Sequence, residues 1–207
     1  MKKILATSAL AAVLAFSAEA KFEGFYAGAQ TSYSKSTVSL KGAPRTGQTS
    51  KSTNPAGYAL GLNGGYGCNM GAVYLGADLN AGYDWAKHTN GSTKFQAKNN
   101  WFAGLGARVG AHATDNWLAY LYLGVDYSRT KLSYSTSTQA NYNKISKTSN
   151  VYSYVPGLGT SYKFSDNIYV DANYKYARSF SQSRPSHYVF AKSTQAHVFT
   201  IGAGYQF

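Results

Sequence analysis

Acidic residues are scarce in this chain: 8 Asp and Glu stand against 20 Lys and Arg, for a formal net charge of +12. Cysteine is nearly absent. The single Cys68 excludes an internal disulfide scaffold. Only 4 Pro are present, so little interrupts extended chain. Past residue 20 no apolar run approaches the roughly 18 residues that a membrane-spanning helix needs, which excludes a helical membrane protein. The 4 His and the lone Cys show no metal-ligand spacing, and no nucleophile motif is visible. No catalytic residue, metal site or cofactor is therefore expected.

What is abundant is 21 Gly, 19 Tyr and 10 Phe. Aromatic and glycine enrichment with few breakers points to many strands. The N-terminus, MKKILATSALAAVLAFSAEA, carries Lys2 and Lys3, an apolar stretch from Ile4 to Phe16, and Ala18-Glu19-Ala20. A charged start, a short apolar segment and a small-x-small site read as a secretory signal, residues 1–20, cleaved after Ala20. No Cys follows the site, so lipid attachment there is not expected. Residues 21–207 suffice for one domain.

Period-2 alternation marks eight segments, at 22–33, 57–67, 72–85, 100–112, 117–128, 151–164, 168–177 and 197–207. Three connections are tight. The other four, about 34–56, 86–99, 129–150 and 178–196, are long and polar. Short alternating with long is the pattern of an up-and-down meander. One parity carries Leu60, Leu62, Leu79, Leu105, Leu121, Leu123 and Ile201, with all three Trp near segment ends and no Asp, Glu, Lys or Arg. A charge at the bilayer midplane of such a wall costs about 2–4 kcal/mol, which accounts for that absence. The other parity mixes Gly with Tyr, Asn, Asp, Arg and Lys, as a narrow, filled bore would. The expected fold is all-β: a transmembrane eight-stranded antiparallel up-and-down β-barrel. Pro156 breaks a ladder in a wall without edges, and a bulge is expected there.

The first segment GFYAGAQTSYS, the third VYLGADLNAGYDW and the closing IGAGYQF carry a resemblance. The chain is similar to small outer-membrane barrels of Gram-negative bacteria, the OmpA-type transmembrane domain and the opacity-type surface proteins. The resemblance covers residues 21–207. It implies export to the cell outer membrane, a porin-like or surface-antigen-like barrel, and four extracellular loops. It also implies that Tyr205 and Phe207 form the C-terminal signal read by the barrel-assembly machinery. Lipid A deacylases and acyltransferases use the same barrel with a His and a Ser near the outer rim. His88, His187 and His197, with Ser186, are the residues at that height, but no matching motif accompanies them.

Two groups of residues stand out as candidates. On the inward parity, Asp78, Asp84, Asp126 and Asp171 share the bore with Arg108, Lys163 and Lys175. Isolated buried charge is costly, so pairing is expected: Asp126 near Lys175, and Asp171 near Lys163 and Arg108. Such a network reads as a polar plug. The alternative is a gate in a narrow ion-conducting pore. In the long connections lie Lys35, Lys41, Arg45, Lys51, Lys87, Lys94, Lys98, Arg129, Lys131, Lys144, Lys147, Arg178, Arg184 and Lys192, without a single Asp or Glu. A basic crown suits lipopolysaccharide phosphates, outer-membrane lipid, or an anionic polymer on a host surface. Nucleic acid is not an expected partner of an exported barrel, and a monomer is expected. The functional reading is a structural or surface-interaction protein acting through its basic loops.

Overall fold

A computed structural model describes residues 22–42, 51–54, 56–85, 87–90, 95–138, 141–180 and 189–207. The strands are β1 (Gly24–Gly42), β2 (Lys51–Thr53), β3 (Ala56–Met70), β4 (Val73–Asp84), β5 (Lys87–Asn90), β6 (Phe95–Thr114), β7 (Trp117–Thr138), β8 (Asn141–Lys163), β9 (Ile168–Ser179) and β10 (Val189–Gln206). Eight of them form one antiparallel wall in the order β10-β9-β8-β7-β6-β4-β3-β1, and β10 pairs with β1 to close it. The closing ladder runs from Tyr26 opposite Gln206 to Gly42 opposite Val189. Closure satisfies the backbone groups that a free sheet edge would leave open. The short β2 and β5 extend this sheet beside β1 and β6.

The tight connections sit at Gly71–Ala72, Asp115–Asn116 and residues 164–167. Gly71 has φ 63°, the left-handed conformation that glycine adopts without a Cβ penalty. At the other end the strands run farther than alternation indicates. β7 and β8 pair continuously from Trp117 opposite Tyr162 to Thr138 opposite Asn141. Much of the stretches expected as loops is thus strand. Residues 129–138 and 141–150 are ladder, as are 34–42, 95–99 and 189–196. A membrane strand needs only about 9–11 residues, so β7 and β8, at 22 and 23, extend well past a bilayer.

The expected bulge at Pro156 does not form. Pro156 keeps Leu123 as its partner on β7, while the ladder to β9 lapses between Tyr154 and Gly157 and resumes in the same register. A proline lacks the N–H but keeps the carbonyl, so one missing donor interrupts one ladder without shifting it. Register shifts fall elsewhere, at Ser39/Leu40, Asn99/Phe102 and His112/Thr114.

The two faces are inverted relative to a water-soluble barrel. Leu62 is 69% exposed, Leu121 61% and Ile201 65%, whereas Arg108 is 8% and Lys163 2% exposed. Aromatic rings band the wall twice. Near the tight turns lie Phe25 against Tyr66, Trp117 against Tyr162, and Tyr205 against Phe207. Toward the long connections lie Tyr33 against Tyr58, Trp101 against Tyr127, and Tyr127 against Tyr152. Rings with an apolar body and a polar edge settle where hydrocarbon meets headgroups. Trp117 and Tyr127, ten residues apart on β7, bracket about 25 Å of wall at 3.3 Å per residue and roughly 40° of tilt.

Inside, tyrosines pack over glycines. A Cβ at Gly204 would lie 2.6 Å from Tyr169 Cζ, and one at Gly159 would lie 2.5 Å from Tyr120 Cζ. The glycines on this parity are therefore the floor on which large rings lie.

Candidate functional site: a charged plug inside and a basic rim outside

The bore is filled at mid-height by a charge cluster centred on Arg108. β6 carries Arg108 inward, β4 carries Asp78, and β9 carries Asp171 from across the lumen. Arg108 Nε donates to Asp78 Oδ2 at 2.6 Å, and Nη1 donates to Asp171 Oδ2 at 3.2 Å. Both acids take further donors. Tyr26 OH donates to Asp78 Oδ1 at 2.6 Å. Tyr120 OH and Ser161 Oγ each donate to Asp171 Oδ2 at 2.7 Å, and Asn173 Nδ2 to its Oδ1 at 2.7 Å. The guanidinium also lies 4.5 Å from the Tyr120 ring centroid and 5.5 Å from that of Tyr26. Desolvating three charges is tolerable only when each meets opposite charge and hydrogen-bond partners, and here each does.

A second layer lies nearer the tight turns. Lys163 Nζ donates to the Asp166 carbonyl at 3.1 Å and sits 5.0 Å from the Phe22 ring centroid. The contact described for Lys163 is thus with the turn. Lys163 stands opposite Tyr169, two positions nearer the turn than Asp171, and its long stem extends toward Asp166. His112 shares a 2.9 Å hydrogen bond with Asn69, and its ring lies 5.7 Å from that of Phe22. Phe22, Leu118 and Tyr74 are buried with them.

A third layer lies toward the long connections. Lys175 Nζ is 4.4 Å from the Tyr122 ring centroid. Asp126 packs over Gly104 close to Asn80. Asp126 and Lys175 are electrostatic neighbours, as expected, but among the described residues they make no direct ion pair. Among the described residues, Asp126 Oδ1 and Tyr122 OH are buried there without a hydrogen-bond partner. Asp84 stands apart from the Arg108 cluster. It ends β4, six residues and about 20 Å along the strand from Asp78.

Sequence reading passed over the neutral groups that complete the cluster: Tyr26, Tyr120, Ser161 and Asn173. Their signal is inward parity, with glycine partners for Tyr26, Tyr120 and Asn173, which marks filled volume but not which carboxylate each group reaches.

The basic residues map onto the extended strands. Lys35 and Arg178 are exposed at the upper parts of β1 and β9, and Arg129 on β7. Lys87, Lys98 and Lys131 occupy one register row across β5, β6 and β7. Lys41 pairs with Phe190, and Lys51 with Leu40. Lys144 and Lys147 stand on β8 opposite Ser135 and Leu132. Lys192 falls in the shifted register of β10, between the residues paired with Ser39 and Leu40. Arg45, Lys94 and Arg184 lie outside the described residues, as do Ser186 and His187. His88 pairs with Ala97, and exposed His197 shares a 2.6 Å hydrogen bond with Tyr174 OH.

At the opposite end, Phe207 is exposed on the wall, and its N–H donates to the Phe25 carbonyl at 2.8 Å. Tyr205 stands between Ala27 and Ile168, and the inward Gln206 donates its Nε2 to the Glu23 carbonyl at 2.9 Å. The last residues thus finish the aromatic band and the barrel seam together.

A closed barrel with an apolar exterior, two aromatic girdles and a charged, packed interior defines a β-barrel membrane protein. A family model described as outer membrane protein beta-barrel domain matches residues 4–207, and the chain belongs to that family. It is a protein of the bacterial outer membrane. Among solved structures, Neisserial surface protein A is 16% identical, covering 89% of this chain and 97% of its own, with a TM-score of 0.51. OprG from Pseudomonas aeruginosa is 14% identical, covering 92% and 99%, also with a TM-score of 0.51. Ail, the attachment invasion locus protein of Yersinia pestis, is 16% identical, covering 89% and 99%, with a TM-score of 0.47. At these identities the likeness concerns the fold. No curated protein matches the chain.

Proposed function

We propose that the chain is a non-enzymatic surface barrel: a plugged anchor whose basic outer strands engage anionic partners. The carrying observation is the distribution of charge along the strands. Beyond the upper aromatic band the ladders hold Lys35, Lys98, Arg129, Lys131, Lys144, Lys147 and Arg178, and from Lys87 to Lys98 and from Tyr127 to Asn150 no acid occurs. Ladders hold these positions at fixed spacing, so several cations meet one polyanion at once. On this reading the long connections face the cell exterior, where lipopolysaccharide phosphates and sulfated or carboxylated host polymers are the available anions. Tyr205 and Phe207 serve assembly by the barrel machinery at the other end, and the barrel works as a monomer.

The test is binding of the purified, refolded barrel to immobilised heparin as salt is raised. Retention is expected to persist at about 0.15 M salt and to fall when Lys98, Lys131 and Lys144 are changed together to Gln. Loss of retention at that salt by the unmodified barrel would reduce the surface to generic electrostatics. The rival reading, a narrow pore gated by the interior network, draws on Asp126 Oδ1 and Tyr122 OH in the third layer, which have no hydrogen-bond partner among the described residues.

A further inference from the structure

The outer wall is not uniformly convex. One register row crosses five strands as Leu62, Ala81, Ala103, Tyr127 and Tyr152. The next row toward the tight turns holds Leu79 and Leu105 on the two central strands, and the next row away holds Tyr83 and Trp101. Large side chains therefore surround two alanine methyls on every side. The result is a groove of about 560 Å³, apolar along its length and ending against Tyr127 and Tyr152. It lies on the face that meets lipid, so hydrocarbon is the solvent available to fill it. A chain lying in a groove touches wall on three sides, whereas one on a convex wall touches it on one.

Charge lies immediately beyond. On β7, Arg129 is two residues past Tyr127 and is exposed, and Lys131 is two further. Lys131 shares its row with Lys98 and Lys87, directly above the strands that form the groove. From Tyr127 to Lys131 is about 13 Å along the strand, or about 10 Å of height at roughly 40° of tilt, which carries this row from the hydrocarbon boundary to the outer edge of the headgroup layer. Apolar groove, aromatic rim and cation row thus stand one above another on β6 and β7, with β4 below and β5 above completing the sector.

We infer that this sector is a binding site for one phosphorylated, acylated glycolipid of the outer leaflet, with an acyl chain over Ala81 and Ala103 and phosphate at the Arg129–Lys131–Lys98 level. The inference rests on the outward orientation of the long connections proposed above. It differs from polymer binding in requiring the groove as well as the charges.

The experiment uses the full refolded barrel in nanodiscs holding a bis-phosphorylated lipid A, its dephosphorylated form, or phosphatidylglycerol. Lipids retained after detergent exchange are counted by native mass spectrometry. The bis-phosphorylated form is expected to be kept at one per barrel, and Ala103→Trp is expected to lower retention about tenfold. Lys98→Gln with Lys131→Gln should do the same. Ala172→Trp, on the lipid face of β9, should leave retention unchanged. If Ala103→Trp does not refold, Ala81→Trp tests the same space. Equal retention by Ala103→Trp and Ala172→Trp would overturn the groove. Equal retention of the dephosphorylated lipid or of phosphatidylglycerol would overturn the glycolipid assignment. Heparin retention by Ala103→Trp is expected to match the unmodified barrel, so failure of the lipid site and failure of the polymer surface read out separately.

Discussion

Replacing Arg108 by leucine is expected to cost the folded barrel about 3–5 kcal/mol, read as a lower urea midpoint for unfolding from lipid vesicles. Asp78 and Asp171 are each 5% exposed and converge on that one guanidinium. Without it, two carboxylates remain in the bore, held only by the hydroxyls of Tyr26, Tyr120 and Ser161 and the amide of Asn173. Hydroxyl and amide donors relieve part of the desolvation but supply no opposite charge. The loss should therefore be conditional on the acids. Adding Asp78→Asn and Asp171→Asn to Arg108→Leu is expected to restore most of the midpoint, because each amide oxygen still accepts from the neighbouring hydroxyls and no buried charge remains. If the triple variant were as unstable as the single one, the effect would belong to lost packing on Tyr120 and not to charge.

Leu121→Arg is the second large effect. Leu121 stands between Val109 and Leu158, four residues from Trp117 and six from Tyr127, near the centre of the apolar band. An arginine there faces hydrocarbon and should destabilise by about 2–4 kcal/mol, with correspondingly less inserted protein. Ser34→Arg changes the inward parity of β1 toward the long connections, opposite Gly57. It is expected to stay within about 0.5 kcal/mol of the unmodified barrel. Equal penalties at the two positions would reverse the assignment of faces.

These two substitutions mark where sequence reading succeeds and where it ends. Leu121 and Tyr120 sort onto opposite faces from the pattern alone, because a strand between lipid and a bore meets two different solvents and alternates accordingly. Past Ser128 that contrast disappears. Both faces of Ser133–Thr138 and Asn141–Ser146 carry similar polar residues, so a ladder there leaves no alternation to read, and the tall β7–β8 hairpin looks like a loop. Charge pairing has a different limit. Asp171 and Arg108 come from strands that share no ladder, and their meeting depends on relative depth across the bore. Depth counted from strand ends was close enough to join those two. It does not say where a long stem ends: the Lys163 ammonium reaches the carbonyl of Asp166 in the turn. Asp78, two positions along β4 from the residue opposite Arg108, is reached diagonally, which a row-by-row count of depth misses.

The proposed function rests on a lumen that anchors and does not conduct, with the work done on the outer strands. Single-barrel recording in planar bilayers tests that most directly. The layers of Phe22 with Lys163, Arg108 with its two acids, and Tyr122 with Lys175 are expected to keep the unmodified protein silent apart from rare, brief events. Frequent, stable openings of uniform size would contradict the plugged anchor and establish the interior network as a gate.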